Sequence, residues 1–273
     1  MYILYPFLKS GQKTLLSHAW NGESMVPDIG VAISEVANSL LDRKSRIRVL
    51  EAGCGSASHV SLVADTHIVG IDISEQQLEK NSAVQEKILG DIQTYALPEG
   101  EFDVVVCWMV LEHLPKPKDA LANLFRAVKP GGLLILAAPN LMSIKGFVTR
   151  ATPFWFHELF YRFMKYDFRP FPTYLRAVIM PKRLARFAKT NGYSLVFFKL
   201  LEGSVAKKLR ARFPVADRAF LIVDTITRMF SFGRCHSLLL DNYFMILRRG
   251  GDYLGEGTRW THALEEYPRT RSV

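Results

Sequence analysis

The stretch from Val49 to Val60, VLEAGCGSASHV, constrains the fold more than any other part of the chain. A short apolar run that ends in Gly-x-Gly is a buried strand turning sharply into the next element. Glycine is needed there because it reaches positive φ without a Cβ clash and lets the main chain come close to a ligand. Gly53 and Gly55 are those two glycines. A dinucleotide-binding turn continues as G-x-G-x-x-G, and its third glycine would fall where Ser58 stands. No Gly-x-x-x-x-Gly-Lys-Ser/Thr occurs either, so the turn is suited to a ligand without a pyrophosphate.

The rest of the chain repeats the same grammar. RIRVLEAG, HIVGIDIS, FDVVVCWMV and GGLLILAAP are short apolar or β-branched runs. Between them EQQLEKNSA and PKDALANLFRAVK space their apolar residues helically, as does GVAISEVANSLLD ahead of the first run. Strands alternating with helices predict an α/β, doubly wound, mostly parallel sheet with right-handed crossovers and helices on both faces. Beyond Asn140 the texture changes to the aromatic-rich GFVTRATPFWFHELFYRFMKYDFRPFPTY, which lacks a strand pattern. A helix at MPKRLARFAKTNG, a strand at YSLVFFKLL, a mixed helical insertion near 203–236 and a strand at NYFMILRR follow. The chain thus divides into an N-terminal helical cap (1–45), an α/β core (46–140), an aromatic-rich insertion with the remaining strands and helices (141–249), and a mobile tail (250–273).

Charge is unevenly distributed. Residues 1–140 hold 12 Lys/Arg against 16 Asp/Glu, whereas residues 141–273 hold 23 against 10, so the net +9 belongs to the second half. Such a surface suits anionic partners, and the segment 203–232, which joins Lys207, Lys208, Arg210 and Arg212 to an apolar run, suits peripheral contact with an anionic membrane. Pro214 interrupts any single long helix there, and packing of two short helices is the competing expectation. No apolar stretch approaches the roughly 20 residues that a bilayer-spanning helix needs. The opening MYILYPFLKSGQKTLL lacks the pattern of an export signal, and three scattered cysteines fit no disulfide framework, so a cytoplasmic location is expected.

Asp72 closes the second strand, 19 positions after Gly53. A carboxylate there can accept both ribose hydroxyls of an adenosine ligand, whichever cofactor carries it. Further on come Gly90 and Asp91 at the end of a third strand, CWMVLEHL after the fourth, and VKPGG opening the fifth. With these four motifs in order, the chain resembles the class I S-adenosylmethionine-dependent methyltransferases. The resemblance implies a Rossmann-like, seven-stranded sheet and S-adenosyl-L-methionine as cofactor. It places Glu51, Gly53 and Gly55 around the methionine part, Asp72 at the ribose and Asp91 near the adenine amino group. Trp108 to Glu112 form the loop beside the cofactor, and the neighbouring Ile73 and Ile92 complete the implied set. Ala57 departs from the family's frequent third glycine by one methyl group.

The implied reaction is transfer of a methyl group to an oxygen of a small, largely apolar acceptor, aromatic or lipid-like. Methyl transfer to N or C, and a catalytically silent partner subunit, are the alternatives. A base would help present the acceptor oxygen, and two histidines are candidates. His157, in the covering insertion FWFHELF, is preferred because acceptor-specific chemistry would be added there. His113, in LEHLP, is the other. The aromatics from Phe154 to Phe163 would wall an apolar pocket or pack as core. Glu112 and Asn140 alone are thin material for a hard-cation site, so no metal is expected. The tetrads of exocyclic-amine and the Pro-Cys of cytosine C5 methyltransferases are absent after the fourth strand, which makes an RNA acceptor the least favoured reading.

Overall fold

In a computed structural model the protein is described for residues 29–41, 46–62, 65–163, 171–203 and 240–250, with isolated positions between 204 and 239. The expected tail, most of the 203–232 segment and the first 28 residues of the cap lie outside the described residues. The described elements begin with helix α1 (Ile29–Leu40), strand β1 (Ile47–Ala52) and strand β2 (Thr66–Asp72). Helix α2 (Glu75–Lys80), β3 (Glu86–Leu89) and β4 (Phe102–Trp108) follow. After a 3₁₀ turn at Leu111–His113 come α3 (Pro117–Ala127) and the long β5 (Val128–Pro139). After β5 come α4 (Ile144–Ala151), α5 (Phe154–Phe163) and a 3₁₀ turn at Ala177–Ile179. Helix α6 (Pro181–Thr190), β6 (Tyr193–Leu201) and β7 (Asn242–Arg249) follow.

The seven strands form one sheet in the order β3-β2-β1-β4-β5-β7-β6. The β1, β2, β3, β4 and β5 pairings are all parallel, whereas β7 runs antiparallel to both β5 and β6. The reversal of strand order falls between β1 and β4, where their carboxyl ends open a crevice for a ligand. Most residues of β1, β4 and β5 are buried, as expected of central strands covered on both faces. One apolar layer (Leu50, Val105, Leu121, Leu124, Leu134, Tyr243) lies under α3 and α6, and the other (Ile33, Val49, Val104, Ile135, Phe244) lies under α1. The buried phenols in the first layer are satisfied: Tyr193 donates to the Phe125 carbonyl and Tyr243 to the Ile179 carbonyl, both at 2.6 Å.

Two local boundaries differ from the sequence expectation. The helix predicted through Ala83 stops at Lys80, and Asn81 adopts an extended conformation that turns its buried amide toward the glycine loop. The Lys-Pro-Gly-Gly turn is drawn into β5, which starts pairing at Val128. A register shift opposite Phe102/Val104 and Gly131 at φ +80° absorb the irregularity.

Candidate active site

The carboxyl ends of β1, β2 and β4 converge on the glycine loop. Gly53 sits at φ +70° and Gly55 at φ +54°. A Cβ on Gly53 would lie 2.5 Å from a Val110 methyl, so this glycine lets the loop after β4 cross directly above the first turn. A Cβ on Gly55 would meet none of the described residues within 4 Å. That glycine therefore borders open space, as a cradle for a ligand requires. The loop is held from below by Asn81, whose amide donates to the carbonyls of Cys54 and Gly55 at 3.4 and 3.2 Å.

The carboxylates are held in distinct ways. Glu51 is buried, receives the Ser58 hydroxyl on one oxygen and leaves Oε2 without a partner. Burial pushes its pKa up, and the hydrogen bonds from Ser58 and the His59 backbone pull it back. Ser58, which in the sequence marks only a missing glycine, thus anchors the acid of the loop. Asp72 accepts the N–H of Gly55 and the N–H of Ser74, one on each oxygen, at 2.9 Å. A carboxylate offers about four lone-pair directions, so both oxygens keep capacity for ligand hydroxyls. Asp91 is engaged by Gln93, through its backbone N–H at 2.8 Å and its side-chain amide at 3.0 and 2.9 Å.

Ile73 is 75% exposed at the tip of β2 and presents a free apolar surface beside Asp72. Ile92 is the reverse: its side chain is in the core, so only its main chain can face a ligand. Trp108 stacks on His59, with ring centroids 5.5 Å apart and planes 10° apart, and tilts against Phe244 at 5.2 Å. Met109, immediately after β4, has φ +53°, a costly conformation for a residue with a Cβ. Strain of this kind gathers where a loop is held in one shape against a site.

An orphaned buried oxygen on Glu51, a positive-φ glycine with room beside it at Gly55 and open lone pairs on Asp72 together fit an amino-acid-bearing adenosine ligand. Glu51, Gly53 and Gly55 would hold its ammonium and carboxylate end, Asp72 its ribose, and Ile73 with the Ile92 main chain its adenine.

The two histidines are used differently. His113 Nδ1 lies 2.8 Å from the Pro172 carbonyl, which can only accept, so Nδ1 carries the proton. The neutral ring therefore leaves Nε2 as a lone pair. The same strap covers the neighbouring turn: the Tyr174 N–H donates to the Glu112 carbonyl at 2.8 Å and Phe171 meets the His113 ring edge-on at 5.7 Å. His157 instead closes a corner between two helices. The Thr152 hydroxyl donates to the Val148 carbonyl at 2.6 Å, so its oxygen accepts from His157 Nε2 at 3.1 Å. Sequence reasoning passed over Glu112 as a buried acid: it is 5% exposed, and burial raises its pKa to about 7. Only its place in LEHL, directly after a buried Leu, hinted at burial.

Sheet order, crevice and glycine loop define the class: the class I S-adenosylmethionine-dependent methyltransferases, with S-adenosylmethionine as cofactor. The chain belongs to the methyltransferase-domain family, which it matches over residues 29–196. It is 32% identical over 117 residues to a Mycolicibacterium smegmatis protein classed by name with the S-adenosylmethionine-dependent methyltransferases, a match covering 41% of this chain and 46% of the relative. It is 31% identical over 160 residues to the ubiquinone biosynthesis O-methyltransferase of Dechloromonas aromatica, covering 52% and 62%. The chain spans about half the length of the curated relatives it matches. Among solved structures the cyclase SpnF superposes with a TM-score of 0.50 at 14% identity, over 87% of this chain and 93% of that one, a likeness of fold alone. No helix among the described residues is long and apolar enough to cross a membrane.

Proposed function

We propose that the protein transfers a methyl group from S-adenosylmethionine to an oxygen of a small, largely apolar acceptor. The observation that carries this reading is the placement of a histidine whose Nε2 makes no hydrogen bond, with the Glu112 carboxylate 3.8 Å away, on the loop that also crosses Gly53. The names of relatives such as the ubiquinone biosynthesis O-methyltransferases support oxygen as the receiving atom.

When bound, the cofactor supplies a methyl group already activated by its sulfonium. The chain's task is then alignment, exclusion of water and handling of one proton. The strap at 171–176 pins the turn bearing His113, and His113 Nε2 takes the acceptor's proton as its oxygen approaches the methyl carbon. His157 is the weaker candidate, because its Nε2 is committed to Thr152. An apolar acceptor is supported by the covering helices: none of the residues of α5 is buried, and Trp155, Leu159 and Phe163 form an exposed stripe at i, i+4, i+8. With Arg150 and Arg162 in the last turns of α4 and α5, this face would suit an anionic bilayer from which such an acceptor is drawn.

The test is incubation of the purified chain with methyl-labelled S-adenosylmethionine and a panel of phenols, hydroxylated lipids and matched amines. Labelled methyl ethers are expected. Cofactor binding without label transfer to any acceptor would leave the silent-partner reading, and transfer to amines alone would replace oxygen by nitrogen.

A further inference from the structure

We propose that Glu112 is a positioning residue that acts through His113, the two side chains forming a coupled pair that holds one proton between them and passes it on as a unit. This deepens the methyl-transfer reading above and rests on it for the identity of the proton's source.

The pair is defined by geometry. Glu112 and His113 occupy one 3₁₀ turn, Leu111–His113, fixed from outside by the strap through the Glu112 carbonyl and from inside by the buried Leu111. Glu112 Oε1 lies 3.8 Å from His113 Nε2, while its Oε2 has no hydrogen-bond partner although buried. Because Pro172 fixes the proton of neutral His113 on Nδ1, two bare acceptors face each other across this gap whenever both groups have lost their shared proton. A single proton between them turns that repulsion into attraction, so the pair favours the singly protonated state.

The surroundings reinforce this. Glu112 is faced by the Cys107 thiol of β4 and the Tyr243 phenol of β7, and more favourably by Lys145 of α4, which itself pairs with buried Asp241 at 3.5 Å. His113 is faced by the Phe171 ring and the Pro172 carbonyl. Burial lifts Glu112 to about 7 and lowers His113 below its ordinary value, so the carboxyl and the ring compete for the same proton. In the reaction the acceptor's O–H proton passes to Nε2 and an oxygen lone pair forms the new O–C bond. The C–S electron pair departs with the sulfur, and the imidazolium left behind faces the Glu112 carboxylate.

The experiment is an NMR titration of the full chain without cofactor or acceptor, following the His113 ring nitrogens and the Glu112 carboxyl carbon, each assigned by its own substitution. In the wild type both nuclei should report a common step, with the neutral ring as the Nδ1–H tautomer. In Glu112→Gln the last His113 midpoint should fall by about one pH unit, as expected when an opposite charge within about 4–6 Å is removed. The rising limb of kcat/KM against pH should move by the same amount. Independent midpoints in the wild type, an Nε2–H tautomer, or an unmoved His113 midpoint in the folded variant would overturn the pair. The wild-type measurement stands even where the variant does not fold. Since the titration needs no turnover, a coupled pair in a protein that transfers no methyl group would refute only the assigned reaction.

Discussion

The Asp72 carboxylate accepts the Gly55 backbone N–H at 2.9 Å, which ties the end of the second strand to the glycine loop of the first. One side chain therefore shapes the loop and keeps lone pairs for the ribose hydroxyls that we assign to it. Asp72→Ala should lower S-adenosylmethionine affinity at least tenfold, since charge-assisted hydrogen bonds are worth about 1.5–3 kcal/mol each. Calorimetry on variant shown to be folded checks it, and affinity equal to wild type would remove Asp72 from the site.

The two loop glycines should fail differently. Gly53→Ala puts a methyl 2.5 Å from Val110 in a left-handed conformation, so it should cost stability, about 1–3 kcal/mol. Gly55→Ala meets open space; it should cost only the φ strain, about 1 kcal/mol, and act mainly on cofactor affinity. Thermal melts with and without cofactor separate the two.

Glu112 makes stability depend on pH with a definite sign. Its folded-state pKa of about 7 exceeds the ordinary carboxyl value of 4.5, so between those values the native state binds more protons than the unfolded chain. Its contribution is fully present below pH 4.5 and is lost as pH rises through 7. A gap of this size corresponds to on the order of 3 kcal/mol. The stability difference between wild type and Glu112→Gln should therefore shift in favour of the variant from pH 5 to pH 8, as read by urea unfolding. A difference that stays constant over that range would contradict it.

His113→Gln should lower kcat by roughly 10²–10⁴-fold with cofactor affinity nearly intact, the pattern of a lost general base. His157→Gln should change kcat little and show its effect in thermal stability, through the Thr152 corner. The reverse ranking would return the base to α5.

Replacing Trp155, Leu159 and Phe163 by serine should reduce co-sedimentation with anionic liposomes at low salt without altering the sheet. Wild-type protein that stays in the supernatant with anionic and neutral vesicles alike would leave the stripe as an ordinary surface.

Much of the glycine loop and of the strand ends around it is legible in the chain because it depends on short-range pattern. Gly53 and Gly55 announce positive φ, Asp72 ends a β-branched run, and PKDALANLFRAVK carries Pro at its first helical position. Ser58 and Asn81 were not legible, because their roles lie in contacts to Glu51 and to the Cys54 and Gly55 carbonyls made only when the loop closes. Ile73 and Ile92 look equivalent in sequence. One ends exposed just beyond β2 and the other packs into the core in the turn after β3.

By itself the sequence determined the alternating α/β pattern, the glycine turn and the acid at the second strand, since these follow from local sterics and the periods of helix and strand. The tertiary structure decided the antiparallel insertion of β7 between β5 and β6, and the strap that fixes the His113 tautomer through Pro172. It also decided the burial of Glu112 beside Lys145, Cys107 and Tyr243. Those groups lie on separate elements up to 136 residues apart in the chain. Desolvation and charge act through space, so proton affinities in such a cluster exist only once packing has brought its members together.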